Sequence, residues 1–411
     1  MNSSIFKLGI IRETRIDEYR TPIVPKHIRE LKKNYYNIDI ILQPSVKRCF
    51  SDKEYQDAGA KISEDLSSCD LILGVKEIDI DILIENKKYL FFSHTSKIQQ
   101  NNSPTQGTPG MDKKDLLKSA IDKNITLIDY ENIRSSSGAR YLGFGRFAGI
   151  VGCYNTLSLF NEVSDHFTMP RAFEINDYKL LQGIVRDKEF SNMRILVTGD
   201  GRVAKGVLEL LEYTNIKQVS KEDFLIKDFD KSVYCNLKTS DYVSCDNKKE
   251  FNLQHFIKNP KKYKSKAEEY LVKTNILISS HYWDPLSPKI FELKNLHNFK
   301  NLKVIGDITC DINGSIPTTL KSTSIENPYF YFEKEKKIEC EKSNEALAIM
   351  AVDNLPSELP RDSSELFGDD ICKEVLPYII GEDDSRIYNA TISHNGKLLP
   401  KYLYLENYLL A

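Results

Sequence analysis

Lys76 and Glu77 close the apolar run LILGV, and His94 and Lys97 follow the run YLFFS. If both runs are parallel strands of one sheet, a lysine and a histidine reach the same sheet edge, where α/β domains hold ligands. Histidine exchanges protons near neutral pH, and a lysine becomes a usable base when desolvated or set beside another cation. Such a pair suits imine chemistry, in which a carbinolamine forms and dehydrates through several proton transfers. Arg12, Glu13, Arg15, Glu18 and Arg20 crowd the segment after the first strand. Taken alone they read most simply as a salt-bridged surface loop. Arg20 and Arg140, the latter just ahead of a strand expected at YLGFG, offer two guanidinium forks. Two such sockets fit a di- or tricarboxylate better than a sugar or a hydrophobe.

A second kind of chemistry is written at Gly199-Asp200-Gly201-Arg202-Val203-Ala204, between the run ILVT and the helical pattern VAKGVLELLEY. In a dinucleotide fold the first glycine permits a tight turn, the second admits the pyrophosphate to the backbone, and a small third residue lets helix and strand pack closely. The amide groups at the helix start then face the phosphates. About twenty residues on, where an acidic side chain selects NAD and a basic one NADP, stand Ser220, Lys221 and Glu222. Both charges are present, so this count leaves the cofactor open.

The elements that position these groups alternate in type. LGII (8 to 11), IDIIL (38 to 42), DLILGVKE (70 to 77), YLFFS (89 to 93) and ITLIDYE (125 to 131) read as strands, with helices near 25 to 34, 53 to 58 and 113 to 123. That alternation predicts a parallel sheet with crossover helices. The glycine-rich stretch 143 to 152 leads into a long helix that connects to a second domain with strands RILVTG (194 to 199), IKQV (216 to 219), ILIS (276 to 279) and LKVIGDI (302 to 308). The lysine-rich region 226 to 268 reads as surface excursions and short helices. Residues 353 to 411 hold the segment DNLPSELP, a helix near 363 to 380 and a polar end, and the loop at 99 to 110 has a composition that predicts mobility.

The expected fold is therefore α/β: two Rossmann-like domains with mostly parallel sheets and an interdomain active-site cleft. The expected bounds are 1 to 150 for the substrate-binding domain, 151 to 352 for the dinucleotide domain, and 353 to 411 for a segment packing back on the first. A length of 411 residues suits two cores rather than one. The 57 basic and 59 acidic residues give a net charge of −2, which attracts neither nucleic acid nor an anionic membrane. No apolar run nears the roughly 20 residues that cross a bilayer, and the N-terminus does not read as a signal peptide, so a cytoplasmic protein is expected. Eight scattered cysteines, with no CxxC pair, predict reduced thiols and no metal site.

The ordered segments RETRIDEYRTPIVPKHI, GVKE, FFSHTSKIQ, LIDYE, FGRFAGIVG, TGDGRVAKG, DITCDINGSI, DNLPSELP and NGKLLPKY cover nearly the whole chain. Together they resemble the saccharopine dehydrogenase family, above all the lysine-ketoglutarate reductase domain of α-aminoadipic semialdehyde synthase. Alanine dehydrogenase and transhydrogenase resemble the same plan. The resemblance implies an oxidoreductase joining L-lysine and 2-oxoglutarate into saccharopine, with NADP(H) favoured and NAD(H) open. Lys76 and His94 would be the acid/base pair, with Glu18 and Lys97 tuning them. Arg20, Gln99, Arg140, Phe144 and Asp311 would meet substrate. Gly199, Gly201, Arg202, Val203, Ser220, Tyr282, Ile308, Val352, Asp353, Asn354 and Leu355 would line the dinucleotide. Small molecules are the expected partners, and oligomerisation stays open. Two departures stand out: a longer loop after Lys97, and Arg15 where the fungal enzymes carry a lysine. The rival readings are an alanine dehydrogenase-like deaminase and a nucleotide-binding sensor without catalysis.

Overall fold

The computed structural model describes residues 5–100, 112–245 and 250–409. Six strands open the chain: β1 (Phe6–Ile10), β2 (Ile38–Leu42), β3 (Lys61–Ile62), β4 (Leu71–Leu73), β5 (Lys88–Phe91) and β6 (Thr126–Asp129). Ten follow: β7 (Arg194–Thr198), β8 (Lys217–Gln218), β9 (Val233–Leu237), β10 (Val243–Cys245), β11 (Tyr263–Ser265), β12 (Ile276–Ser279), β13 (Val304–Asp307), β14 (Tyr329–Glu333), β15 (Ile338–Cys340) and β16 (Leu347–Met350). Two more, β17 (Thr391–His394) and β18 (Lys397–Leu398), come from the C-terminal segment.

The chain divides into two compact units. Unit 1 comprises residues 1–144 and 360–411, and unit 2 comprises residues 145–359. The contact boundaries thus fall at 144/145 and 359/360, a few residues from the 150/151 and 352/353 read from the sequence.

Unit 1 is built on one sheet ordered β18-β17-β6-β5-β4-β1-β2-β3, in which β1 to β6 run parallel and β17 joins β6 antiparallel. Strands β4 and β6 are buried along their length, as expected of strands covered on both faces. Helix α1 (Pro25–Asn34) starts with proline at its first position, where no amide is needed, and buries Ile28 and Leu31. Helix α2 (Asp52–Asp57) carries a capping box in which Ser51 Oγ accepts the Glu54 N–H and Glu54 accepts the Ser51 N–H. Helix α3 (Lys113–Asp122) buries Leu116, Leu117 and Ala120.

Unit 2 has a sheet ordered β15-β14-β16-β13-β12-β7-β9-β8 and a separate hairpin, β10-β11. Its main helices are α4 (Gly145–Val163), α5 (Tyr178–Arg186), α6 (Arg202–Leu211), α7 (Lys221–Ile226) and α8 (Thr239–Tyr242). Two sequence expectations are corrected here. YLGFG is not a strand, and the glycine-rich stretch is mostly the first half of α4. Gly149 in that stretch and Gly206 of α6 serve close packing, because a Cβ on Gly149 would lie 2.0 Å from Val203 O and one on Gly206 2.0 Å from Arg146 O. The backbones of α4 and α6 touch where those side chains are missing. The second correction concerns 226 to 268, which holds β9, a strand inside the sheet beside β7.

The helix expected at 363 to 380 is two, Pro360–Glu374 and Leu376–Ile380. All eight cysteines are free thiols. Among the described residues no helix is long and apolar enough to cross a membrane. The loop at 101 to 110 lies outside the described residues.

Candidate active site

The register of unit 1 brings its chemistry together. Leu73 pairs with Ile10 on one side and Leu90 on the other, and Phe91 pairs with Asp129, so β1, β4, β5 and β6 end on one edge. The residues at or just past those ends are Glu13 to Arg20, Lys76 and Glu77, His94 and Lys97, and Asp129 and Glu131.

His94 Nδ1 lies 2.6 Å from Glu77 Oε1, with both side chains nearly buried. Burial alone would raise the Glu77 carboxyl, but the His94 hydrogen bond and the His94 and Lys76 charges bring it down to about 2. Glu77 is therefore ionised, His94 donates from Nδ1, and its Nε2 faces the other way. The His94 backbone sits in the left-handed region at φ 52°, strained for a residue with a Cβ. Asp129 holds it there, its Oδ2 accepting the His94 N–H at 3.0 Å and the Ser93 hydroxyl at 2.6 Å. Burial and the neighbouring Glu131 push the Asp129 carboxyl up.

Lys76 is fixed through its backbone. Glu13 Oε1 accepts the Val75 N–H at 2.7 Å and Glu13 Oε2 the Lys76 N–H at 3.0 Å. Burial and the Glu18 charge push the Glu13 carboxyl up to about 7. Burial and the Arg20 and Arg15 charges together push the Lys76 ammonium below the usual lysine range, against the opposing pull of Glu77 and Glu18. A lysine so placed loses its proton more easily than one in water.

Arg20 is forked onto Glu18, Nε to Oε1 at 2.7 Å and Nη2 to Oε2 at 2.5 Å, with both residues buried. Burial opposes the Glu18 charge, yet Arg20 outweighs it and holds this carboxyl at about 2. The Arg20 guanidinium also lies 4.1 Å from the Phe144 ring centroid, and that ring stacks on Phe367 at 4.3 Å. Glu131 bridges two cations, receiving Lys97 Nζ at 2.8 Å and Arg140 Nη1 at 2.9 Å. Burial resists the Glu131 charge too, but Lys97, His94 and Arg140 bring it to about 2.

Not every expected residue joins this cluster. Arg12 pairs with Glu64 at the surface, whereas Arg15, buried and chelating Asp17, stays near enough for its charge to act on Lys76. Gln99 falls in the short turn Thr95–Gln100, and its side chain lies outside the described residues. Glu13, Asp129 and Glu131 carry no role in the sequence reading. The signal was there for the last two, since the strand-end logic that picks Lys76 and His94 applies equally to ITLIDYE.

Unit 2 gathers most of its expected residues on the carboxyl edge of its sheet. Gly199 ends β7 at φ +110°, and a Cβ there would meet Ser280 O at 2.7 Å, so only glycine fits the turn. Around Gly201, by contrast, a Cβ would meet nothing within 4 Å, leaving open space at the start of α6. An open backbone at the head of a ten-residue helix fits a pyrophosphate.

Past β12, Ser280 Oγ donates to Thr198 O, and His281 Nδ1 sits 2.8 Å from Thr198 Oγ1. His281 is pushed down to about 4 by burial, and among the described residues its Nε2 and the Ser279 hydroxyl are buried without a hydrogen-bond partner. Tyr282 follows, largely exposed. Ile308 to Asp311 follow β13, and Val352 to Leu355 follow β16. A Cβ on Gly152 would sit 2.6 Å from the Ile308 side chain and 3.2 Å from Leu355, so α4 packs tightly under both. These features fit a nicotinamide dinucleotide lying along the edge. Ser220 stands elsewhere, capping α7 beyond the outermost strand, its Oγ accepting the Asp223 N–H.

Among known proteins, residues 9–151 match the family described as alanine dehydrogenase/PNT, N-terminal domain. The chain is 29% identical to the α-aminoadipic semialdehyde synthase of Arabidopsis thaliana, over 97% of this chain and 41% of the relative. It is 24% identical to the saccharopine dehydrogenase (NAD(+), L-lysine-forming) of Yarrowia lipolytica, over 90% of this chain and 91% of the relative. The chain thus spans less than half the length of that semialdehyde synthase and nearly all of the dehydrogenase. A solved L-alanine dehydrogenase covers 98% of the chain with a TM-score of 0.61 at 13% identity, which shows the same α/β fold. The relatives are of the kinds that the motifs resemble.

Proposed function

We propose that this chain is an oxidoreductase that interconverts saccharopine with L-lysine and 2-oxoglutarate, favouring NADP(H) over NAD(H). The observation that carries the reading is the Glu77-His94 pair beside the depressed Lys76, on an edge that also presents Arg20 and Arg140. Support comes from relatives named as saccharopine dehydrogenase and α-aminoadipic semialdehyde synthase.

In the reductive direction the lysine ε-amine attacks the ketone of 2-oxoglutarate. His94, its Nδ1 proton committed to Glu77, exchanges protons through Nε2 as the carbinolamine forms. Lys76 takes and returns the remaining proton while water leaves, a task suited to an amine whose ammonium form is destabilised. Arg20 and Arg140 orient carboxylates, with Glu18 and Glu131 fixing the direction of each fork. A bound nicotinamide dinucleotide supplies the hydride that reduces the imine. Gly199 makes the tight turn, Gly201 would leave room for its pyrophosphate, and Arg202 and Val203 head the helix that would face it.

The test is nicotinamide oxidation with lysine plus 2-oxoglutarate, read side by side for NADPH and NADH, with saccharopine identified as product. Turnover with ammonia and pyruvate instead would transfer the reading to an alanine dehydrogenase-like deaminase. Nucleotide binding without turnover across amino acids and 2-oxo acids would make the chain a sensor.

A further inference from the structure

The dinucleotide rule that separates NAD from NADP supposes that the second strand in sequence lies next to the first, as in the order 3-2-1-4-5-6. Here that is not so. β7 pairs with β9, and β8, although it comes earlier in the chain, pairs only with the far side of β9. At about 4.8 Å per strand, β8 stands roughly 10 Å from β7. Counting twenty residues from Gly199 therefore lands on Lys221 and Glu222, one strand too far out.

The slot beside the glycine turn belongs to the end of β9. Leu237 O accepts the Gly199 N–H at 2.8 Å, and Asn236 Nδ2 donates to Gly199 O at 2.9 Å. The chain then passes straight to Lys238. The acid nearest in this turn, Asp241, is already committed: Oδ1 receives Lys221 Nζ at 2.6 Å and Oδ2 the Lys238 N–H at 2.8 Å. Lys238 is exposed, and its own ammonium makes no hydrogen bond or ion pair among the described residues. Apart from the Asp200 carboxylate of the glycine turn, whose charge reaches Tyr242, the charge left uncommitted at the end of β9 is the positive one of Lys238, flanked by the hydroxyl residues Thr239 and Ser240.

We infer that Lys238, at the end of the inserted strand β9, recognises the 2'-phosphate of an NADP-type dinucleotide and sets the cofactor preference of the enzyme. The inference rests on the nucleotide half of the function proposed above. A lysine in this slot favours a phosphate dianion over a ribose hydroxyl through a charge-assisted hydrogen bond. Its role is in nucleotide binding and not in the proton transfers proposed for Lys76 and His94.

The experiment measures dissociation constants on the full chain, without amino-acid substrate, for NADPH, NADH, adenosine 2',5'-bisphosphate and 5'-AMP. Wild type binds the 2'-phosphorylated member of each pair more tightly. Lys238→Ala weakens NADPH about tenfold and leaves NADH unchanged, while Lys238→Arg retains the preference. Lys238→Glu weakens NADPH further and lets NADH overtake it.

Equal losses for both nucleotides, or no loss for either, overturn the role of Lys238. A wild-type preference for NADH overturns it too, yet leaves the proposed reaction intact if NADH supports saccharopine formation. Absence of binding by all four ligands sinks the inference together with the nucleotide reading of unit 2.

Discussion

Glu77 and His94 meet across the ends of β4 and β5 at 2.6 Å, and the pairing helps to hold Glu77 ionised. Glu77→Gln keeps the shape and removes the carboxylate that accepts from His94 Nδ1 and orients the ring. We expect kcat to fall on the order of a hundredfold with nucleotide affinity unchanged, read by steady-state kinetics beside nucleotide titration. An equal loss in both would place the pair outside the chemistry.

The same carboxylate makes a stability prediction. Glu77 is lowered from 4.5 to about 2, so its contribution is full above pH 4.5 and is lost as pH falls towards 2. In thermal melts across that window, Glu77→Gln shows a shallower decline than wild type. Parallel curves would mean that the pair adds nothing to folding.

Lys76→Met removes the amine while keeping the stem. Turnover should drop by about 100- to 10,000-fold, with NADPH binding intact. Full turnover in this variant would remove Lys76 from the mechanism.

Glu13 holds Lys76 by two backbone bonds, and glutamine can accept only one of them. Glu13→Gln leaves a buried N–H without its acceptor, costing about 1–3 kcal/mol and lowering kcat through a displaced Lys76. The pH dependence differs in sign from that of Glu77. A carboxyl raised from 4.5 to about 7 keeps its proton in the folded state after the unfolded chain has lost it, so wild-type stability falls as pH climbs from 4.5 to 7. That component of the slope disappears in Glu13→Gln, which the difference between the two melting curves reads directly.

Two glycine substitutions in helices should act oppositely. Gly206→Ala drives a methyl into Arg146 O and should cost more than about 3 kcal/mol, because α4 and α6 must separate. Gly183→Ala, in α5 with nothing within 4 Å, should add about 0.5–1 kcal/mol. Denaturant unfolding of both variants checks the pair.

Much of this was legible from residue pattern. α1 and β2 begin and end where proline, the apolar spacing and the polar breaks put them, and the strand ends delivered Lys76 and His94. What escaped notice had physical reasons. β9 hides in a lysine-rich stretch because VYCNL is short and its flanks are polar, and strand order in a sheet is not encoded by sequence order. The sequence places the start of α4 too late because its glycines, which a close helix crossing demands, weaken the helical signal. Glu13 is invisible as a support for Lys76, since the two are 63 positions apart and joined only through a backbone amide.

The return of β17 to β6 has a consequence for biosynthesis. Unit 1 takes strands from both ends of the chain, with the whole of unit 2 between them. A nascent chain has all of unit 2 available before Thr391 leaves the ribosome, so the later segment can complete its sheet first. Until then β6 is an open edge, and the growing chain exposes unpaired strand backbone that could pair with another chain.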